Sequence, residues 1–310
     1  MKIPNVKIKV VGIGGSGSNA VSRMAKCDIK GIELMAINTD AQDLNKARAD
    51  FKLRIGRKTT MGLGSGMNPE IGRKSALENR QEISEMLKGA DMIFVTCGLG
   101  GGTGTGAAPV IAEVAKESGA LVLAIVTKPF SFEGKIRSKI AENGIKKLKE
   151  KVDTLVAISN DKLLSTLDPN TSLLNAFWIC DDILRQAVQG ISDLISRPGI
   201  VNIDFADVKA IMSSAGSALF GVGVASGEKR AEKAALSAIN SPLLDVSIKG
   251  AKGVLFNISG GKDISLSEID QVAKTITQEV NPEARIIFGA IQDEKLEKGE
   301  IKVTVIATGF

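Results

Sequence analysis

The stretch Gly98-Leu-Gly-Gly-Gly-Thr-Gly-Thr-Gly-Ala-Ala-Pro109 limits the folds open to this chain more than any other part of it. Half of its residues are glycine. The run before it, Asp91-Met-Ile-Phe-Val-Thr-Cys97, is apolar and of strand length. The run after it, residues 107–118, is amphipathic at helical spacing, with Pro109 near its start, and reads as a helix. A glycine-rich turn from strand to helix presents bare backbone N–H groups at a helix N-terminus, where anions, and phosphates above all, are held. Glycine is required because a Cβ would hold a phosphate away from the backbone.

The same alternation fills residues 1–165. Strands are expected at 6–12, 31–38, 91–97, 120–127 and 154–159, and helices at 16–26, 76–88, 107–118 and 131–149. Strand-helix alternation implies a parallel sheet with helices on both faces. Ligands in such sheets bind at the carboxyl ends of the strands, where each glycine-rich turn falls. A long helical pattern runs over 172–196 and stops before Arg197-Pro198-Gly199. Beyond it, strands at 215–224, 253–259, 285–291 and 301–308, with helices at 204–212, 228–239 and 265–279, describe a second α/β domain.

Composition removes several classes. With 310 residues the chain suits two domains. Hydrophobic content of 44% and charged content of 24% fit a soluble globular protein. Cys27, Cys97 and Cys180 form no CxxC pair, and histidine is absent, which excludes a Cys/His metal site and Ser-His-Asp or Cys-His catalysis. Reduced cysteines packed as small apolar residues suit a cytoplasmic protein. The N-terminus lacks the apolar core of a signal peptide, and no apolar run approaches the ~20 residues of a membrane helix. The net charge of +5 is modest, and Lys146–Lys151 reads as a solvated helix face. With no tyrosine and one tryptophan, a base-stacking nucleic-acid surface has little to build from. The expectation is therefore no nucleic-acid partner and no direct membrane insertion.

Gly12-Ile-Gly14-Gly-Ser-Gly17 follows a strand, opens a helix and fits G-x-G-x-x-G, with Asp40 where a ribose-binding acid would fall. Alone, this loop favours a dinucleotide-dependent dehydrogenase. The second glycine loop is superfluous for such a site, and the downstream half supplies no evident hydride-transfer machinery. No G-x-x-x-x-G-K-[ST] sits at a strand-helix junction, so phosphate must be held by glycine amides and hydroxyls rather than by a P-loop lysine.

Gly100-Gly-Gly-Thr-Gly-Thr-Gly106 resembles the nucleotide-binding signature of the tubulin/FtsZ family, and the resemblance extends over essentially the whole chain. It implies an α/β fold: a Rossmann-like parallel-sheet GTPase domain over 1–170, a central connecting helix over 171–198, and a smaller α/β C-terminal domain over 199–310 that carries an acidic catalytic loop. It implies GTP and GDP as ligands, with Mg²⁺ held mainly through the nucleotide phosphates. By the same resemblance, Gly14, Gly15, Ser16, Gly17 and Ser18 place backbone on the diphosphate, and Asn19 lies near guanine. Ser16 and Ser18 stand where the family often has more glycine. Asp40, in Asn38-Thr-Asp40, lies near ribose, phosphate or magnesium. Gly64 belongs to Gly62–Glu70, which matches the loop over the γ-phosphate, and Met61 stands where the family often has arginine. Gly101, Gly102, Thr103, Gly104 and Thr105 cradle phosphate. Glu133 accepts from ribose hydroxyls and Arg137 closes over the sugar-phosphate; without the motif, the two would read equally as an i,i+4 surface ion pair.

Phe177 and Asp181 are four apart and share one helix face. The resemblance puts Phe177 on the guanine ring and Asp181 on N1–H and the exocyclic amine. A carboxylate suits the two donors of that edge and disfavours adenine, which offers an acceptor there. Trp178-Ile-Cys180 departs from the small or polar residues common in the family. Asn202, Asp204 and Asp207 match the acidic catalytic loop, although alone they would read as helix caps and first-turn acids. Ser196 ends the long helix ~22 Å from Asp181 at ~1.5 Å per residue. The acids are therefore expected to serve a nucleotide on the next subunit of a head-to-tail homopolymer, with hydrolysis dependent on polymerisation. A polymerising relative with little turnover is the alternative from a different class. The resemblance also implies a place at the cytoplasmic division site. It further implies a flexible tail docking other division proteins; this sequence stops at Phe310, directly after a strand, which leaves open whether the tail is cut off here or this relative lacks it.

Overall fold

A computed structural model describes residues 6–27, 29, 31–164, 167–168, 170–196, 199–241, 248–293 and 296–310. The first residues, Met1–Asn5, and the helix stop at Arg197-Pro198 lie outside the described residues. The chain divides into two compact units, Met1–Gln189 and Gly190–Phe310.

The first unit holds strands β1 (Ile8–Ile13), β2 (Ile32–Asn38), β3 (Phe51–Arg54), β4 (Met92–Gly98), β5 (Leu121–Lys128) and β6 (Thr154–Ser159). They are parallel, in the order β3-β2-β1-β4-β5-β6. All six residues of β1 are buried, as a strand covered on both faces requires. Its one charge, Lys9, is satisfied because Nζ donates to the carbonyls of Met86 and Lys88 at 2.9 and 3.1 Å. The strand order reverses between β1 and β4, so a crevice opens where the loops after these two strands leave the sheet.

The helices of this unit are α1 (Gly14–Lys26), α2 (Ala41–Lys46), α3 (Arg57–Thr60), α4 (Pro69–Glu78), α5 (Arg80–Leu87), α6 (Thr103–Glu117), α7 (Lys135–Lys149) and α8 (Asn160–Leu164), followed by α9 (Leu173–Ser196), within which the two units divide. Three expectations need correcting. The single helix at 76–88 is two helices. The first begins at Pro69, where Asn68 caps the N–H of Glu70 and proline takes the first helical position. The break falls at Asn79, whose side chain serves other loops: Oδ1 accepts from Gly56 N at 2.8 Å and Nδ2 donates to Glu82. The helix expected at 107–118 starts four residues earlier, at Thr103, so Pro109 lies in its interior. Pro109 has no N–H for the Thr105 carbonyl, and the helix continues because its neighbours bury it. The helix expected at 131–149 begins instead with a 3₁₀ turn at Ser131–Glu133 and resumes at Lys135 after Gly134, whose φ is +100°.

Helices α4 and α6 cross in direct backbone contact. A Cβ on Gly106 would stand 1.9 Å from the Pro69 carbonyl oxygen and 2.8 Å from Arg73 N. Gly106→Ala is expected to destabilise the fold by about 3 kcal/mol, since backbone rather than a side chain must yield. The urea midpoint should fall with an unchanged slope, and an unmoved midpoint would show that the pair separates freely.

The second unit carries α10 (Phe205–Met212), α11 (Arg230–Ile239) and α12 (Leu266–Thr277) with strands β7 (Gly216–Ser226), β8 (Gly253–Gly260), β9 (Arg285–Gln292) and β10 (Glu300–Thr308). β10 is antiparallel to β7 and β8, and β8 is parallel to β9. Its core joins Phe256, Ile258, Val303 and Val305 to the alanine face of α11. α12 opens on a capping box, Ser265 with Glu268.

Candidate functional site

A cavity of about 400 Å³ lies in the crevice of the first unit. Its floor is made by two helix N-termini. α1 opens at Gly14 (φ +71°), where a Cβ would press to 3.1 Å from Gly104 N, so the two glycine loops touch. α6 opens at Thr103, and the first N–H groups of a helix have no partner within it. Gly101 lines the cavity with open space where a Cβ would project. Gly100 (φ +100°) turns the loop and donates its N–H to the Thr105 hydroxyl at 2.9 Å. The buried Thr103 hydroxyl bonds both the Thr39 hydroxyl at 2.7 Å and the Ser65 hydroxyl at 2.9 Å, tying the loops after β2, β4 and α3 together.

The opposite end is shaped by α7 and α9. Glu133 Oε1 accepts from Phe130 N at 2.9 Å and Oε2 pairs with Arg137 at 2.6 Å, so the i,i+4 pair exists and lines the cavity. Phe177 is 40% exposed and meets Phe130 edge-on at 5.3 Å. Asp181 is buried and receives Nε and Nη2 of Arg23 on Oδ2. Burial pushes its carboxyl up to about 6, against the opposing pull of Arg23 and a Ser16 hydrogen bond. Burial also drives the neighbouring Cys180 thiol up to about 12, so this lining sulfur is a protonated thiol at neutral pH. Two walls of the cavity carry buried polar atoms without a protein partner, Arg137 Nε and Asn160 Oδ1. Unpartnered N–H groups at one end, a carboxylate at the other and orphaned polar atoms between them fit a nucleoside phosphate.

Asp181 is expected to make ligand binding pH-dependent. A raised carboxyl favours the protonated form in the empty protein. Its contribution to stability is therefore full below the ordinary value of 3.8 and lost as pH rises through about 6. A ligand that donates two hydrogen bonds to the carboxylate needs the ionised form. Guanine-nucleotide affinity is thus expected to be level above about pH 7 and to fall about tenfold per pH unit below about 6. The facing groups are Arg23, Ser16, Cys180 and Glu133. Calorimetric titration with GDP between pH 5 and 8 checks this, and a flat profile would dissociate Asp181 from binding.

Of the residues expected at a site, Gly14, Gly15, Ser16, Asn19, Gly101, Gly102, Thr103 and Gly104 line the cavity, as do Glu133, Arg137, Phe177 and Asp181. Five others do not. Gly17 serves packing: a Cβ there would meet the Thr96 carbonyl oxygen at 2.5 Å, and this lets α1 lie against β4. Ser18 is buried beneath that helix. Asp40 caps α2, accepting from Gln42 N and Asp43 N. Gly64 (φ +83°) approaches Asp40, and Thr105 braces Gly100 from behind. Asn160 and Arg23 were not expected at the site, and neither lies in a glycine loop; Ser65 lies within the glycine loop of Gly62–Glu70 and was given no role of its own.

Asn202, Asp204 and Asp207 belong to the second unit and are not among the described residues lining the cavity. Asn202 Oδ1 accepts from Gly199 N at 2.7 Å, and Asp207 stands 3.7 Å from Arg285. Asp204 occupies the N-cap position of α10, yet its exposed carboxylate makes no capping hydrogen bond.

A parallel sheet read at its switch point by two glycine-rich helix N-termini, without a P-loop lysine, defines a tubulin-like GTPase domain. The Tubulin/FtsZ family GTPase domain matches residues 7–168, and the FtsZ family C-terminal domain matches residues 216–310. Among solved structures, an empty FtsZ dimer from M. jannaschii is 48% identical, with a TM-score of 0.94 over 98% of this chain and 88% of that one. CetZ2 from Haloferax volcanii, solved as a GTPgS-bound protofilament, has a TM-score of 0.84 at 22% identity over 97% and 92% of the two chains, a likeness of fold. The chain belongs to the tubulin/FtsZ family, and both its domains are of the FtsZ kind.

Proposed function

We propose that this protein is a GTP-hydrolysing cytoskeletal subunit that polymerises head to tail and forms the division ring in the cytoplasm, with a hydrolytic site shared between neighbours. One observation carries the shared site. Among the described residues the carboxylates lining the cavity are Glu133, engaged by Arg137 and the Phe130 N–H, and Asp181, engaged by Arg23, which leaves no free lining carboxylate to orient water at the phosphate end. Asp204 is exposed and uncommitted to its own helix cap. The dimer of the M. jannaschii FtsZ and the protofilament of CetZ2 support self-association.

The roles follow from chemistry. The glycine loops bind the phosphates and exclude side chains from them, Glu133 and Arg137 hold the sugar, and Phe177 and Asp181 select guanine. Asn202, Asp204 and Asp207 of the following subunit orient the attacking water. Bound Mg²⁺ would neutralise phosphate charge. Among the described residues no group of three or more His, Cys, Asp or Glu side chains could hold a metal, so its contacts would fall to phosphate oxygens and loop hydroxyls such as Thr103. A tail beyond this chain would recruit further division proteins.

Phosphate release from GTP, followed against protein concentration with ATP as control, tests the reading. Specific activity should be negligible below a threshold concentration and rise above it, for GTP alone. A specific activity constant at all concentrations would assign a complete site to each monomer.

A further inference from the structure

The acceptor Asp181, which lines the cavity, is already engaged by a side chain behind it, Arg23. Arg23 lies in the last turn of α1, and Ser16 and Asn19, seven and four residues before it, line the cavity from the same helix face. Both Nε and Nη2 of Arg23 donate to the single oxygen Oδ2 of Asp181, each at 3.2 Å. A guanidinium gripping both oxygens of a carboxylate makes two bonds nearer ~2.8 Å, so this is a poor form of the pair. The Arg23 Cζ also stands 5.3 Å from the ring centroid of Trp178, which is 51% exposed. The cation thus already rests against an aromatic face while it holds Asp181.

Guanine presents to a carboxylate the pattern that arginine presents. N1–H and the exocyclic amine flank one carbon, as Nε–H and Nη2 flank Cζ. Asp181 has one edge for this pattern and can satisfy one such fork at a time. We propose that Arg23 is a latch on the guanine site: in the empty protein its guanidinium holds an Asp181 oxygen that the base needs, and guanine displaces it from Asp181 while the face of Trp178 retains the cation. The inference rests on the reading of this cavity as a guanine site. It assigns a role to Trp178, which holds the displaced cation. Opening the latch costs every ligand the same, so selection rests on what then fills the vacated acceptor. Only a base with two donors restores what Asp181 loses, whereas adenine offers an acceptor there.

GDP binding measured by calorimetry at about pH 8, where Asp181 is ionised, tests the latch in the wild-type protein, Arg23→Met and Arg23→Lys. Arg23→Met should bind GDP roughly five- to tenfold more tightly, as expected on removing a latch that is closed about nine-tenths of the time. Millimolar methylguanidinium should weaken GDP binding to Arg23→Met and leave the wild type unchanged. Arg23→Lys keeps the charge without the fork, so it should also bind more tightly than wild type, and it carries the test if the Met variant does not fold. Unchanged GDP affinity in the variants would make the contact a bystander. Weaker affinity would make Arg23 a support for Asp181, and insensitivity to methylguanidinium would deny that the vacated edge accepts a guanidinium. Each of these overturns the latch. A wild-type protein that binds ADP as well as GDP would instead overturn the guanine site itself, so the two failures are separable.

Discussion

Asp204→Ala is expected to bind GTP within twofold of wild type and to hydrolyse it on the order of a thousandfold more slowly, the loss typical of a positioned acid or base. The side chain is exposed and makes no capping bond, so its removal should cost little stability, and a loss of activity would not be a loss of fold. Binding is read with GDP by calorimetry and turnover by phosphate release above the polymerisation threshold. Hydrolysis at the wild-type rate would remove Asp204 from the mechanism. A turnover loss matched by an equal loss of binding would move its role from the transition state to the ground state.

Asp181→Asn should weaken GDP binding roughly a hundredfold, because a buried carboxylate accepting two donors is replaced by an amide that accepts one and turns a donor towards the other. The substitution should also flatten the fall in affinity below about pH 6, since no group remains to titrate at the base. Retained affinity would place the base elsewhere in the cavity. Mixing the two variants offers a stricter test of the shared site. At a GTP concentration that fills the intact pocket but leaves the Asp181→Asn pocket largely empty, an interface that pairs the intact pocket of an Asp204→Ala subunit with the intact acids of an Asp181→Asn subunit is complete. Random head-to-tail assembly of equal amounts makes such interfaces roughly a quarter of the total, and activity should recover to about that fraction. No recovery would mean that the two halves act within one chain.

What the sequence disclosed depended on locality. The run from Asp91 to Pro109 announced strand, turn and helix because burial on both faces of a parallel strand leaves an uninterrupted apolar segment, and bare backbone requires glycine. The short strand Phe51–Arg54 was not legible: only Leu53 is buried, so an edge strand of this kind carries no apolar run. The start of α4 was masked by the glycine loop before it, although Asn68-Pro69 is a proper cap. Glu133 and Arg137 show the limits of spacing, since the ion pair and the cavity lining are one geometry serving two readings. The meeting of Arg23 with Asp181, 158 residues apart, is a product of tertiary packing and leaves no local trace. The same holds for Asn160, a single polar residue that only the fold brings to the cavity.

The three hydroxyls of Thr39, Thr103 and Ser65 share their protons under a strict rule. Each oxygen has one proton to give, and Thr103 stands in the middle with two bonds. While it faces only its neighbours, the polarity of the row can run either way. Once Thr103 gives its proton to a phosphate oxygen, it has none left for either side, and Thr39 and Ser65 must both turn theirs towards it. The loop carrying Ser65 then has a single permitted hydroxyl orientation where it had two. On the proposed reading of the cavity as a nucleotide site, a ligand with no oxygen at Thr103 would return that choice.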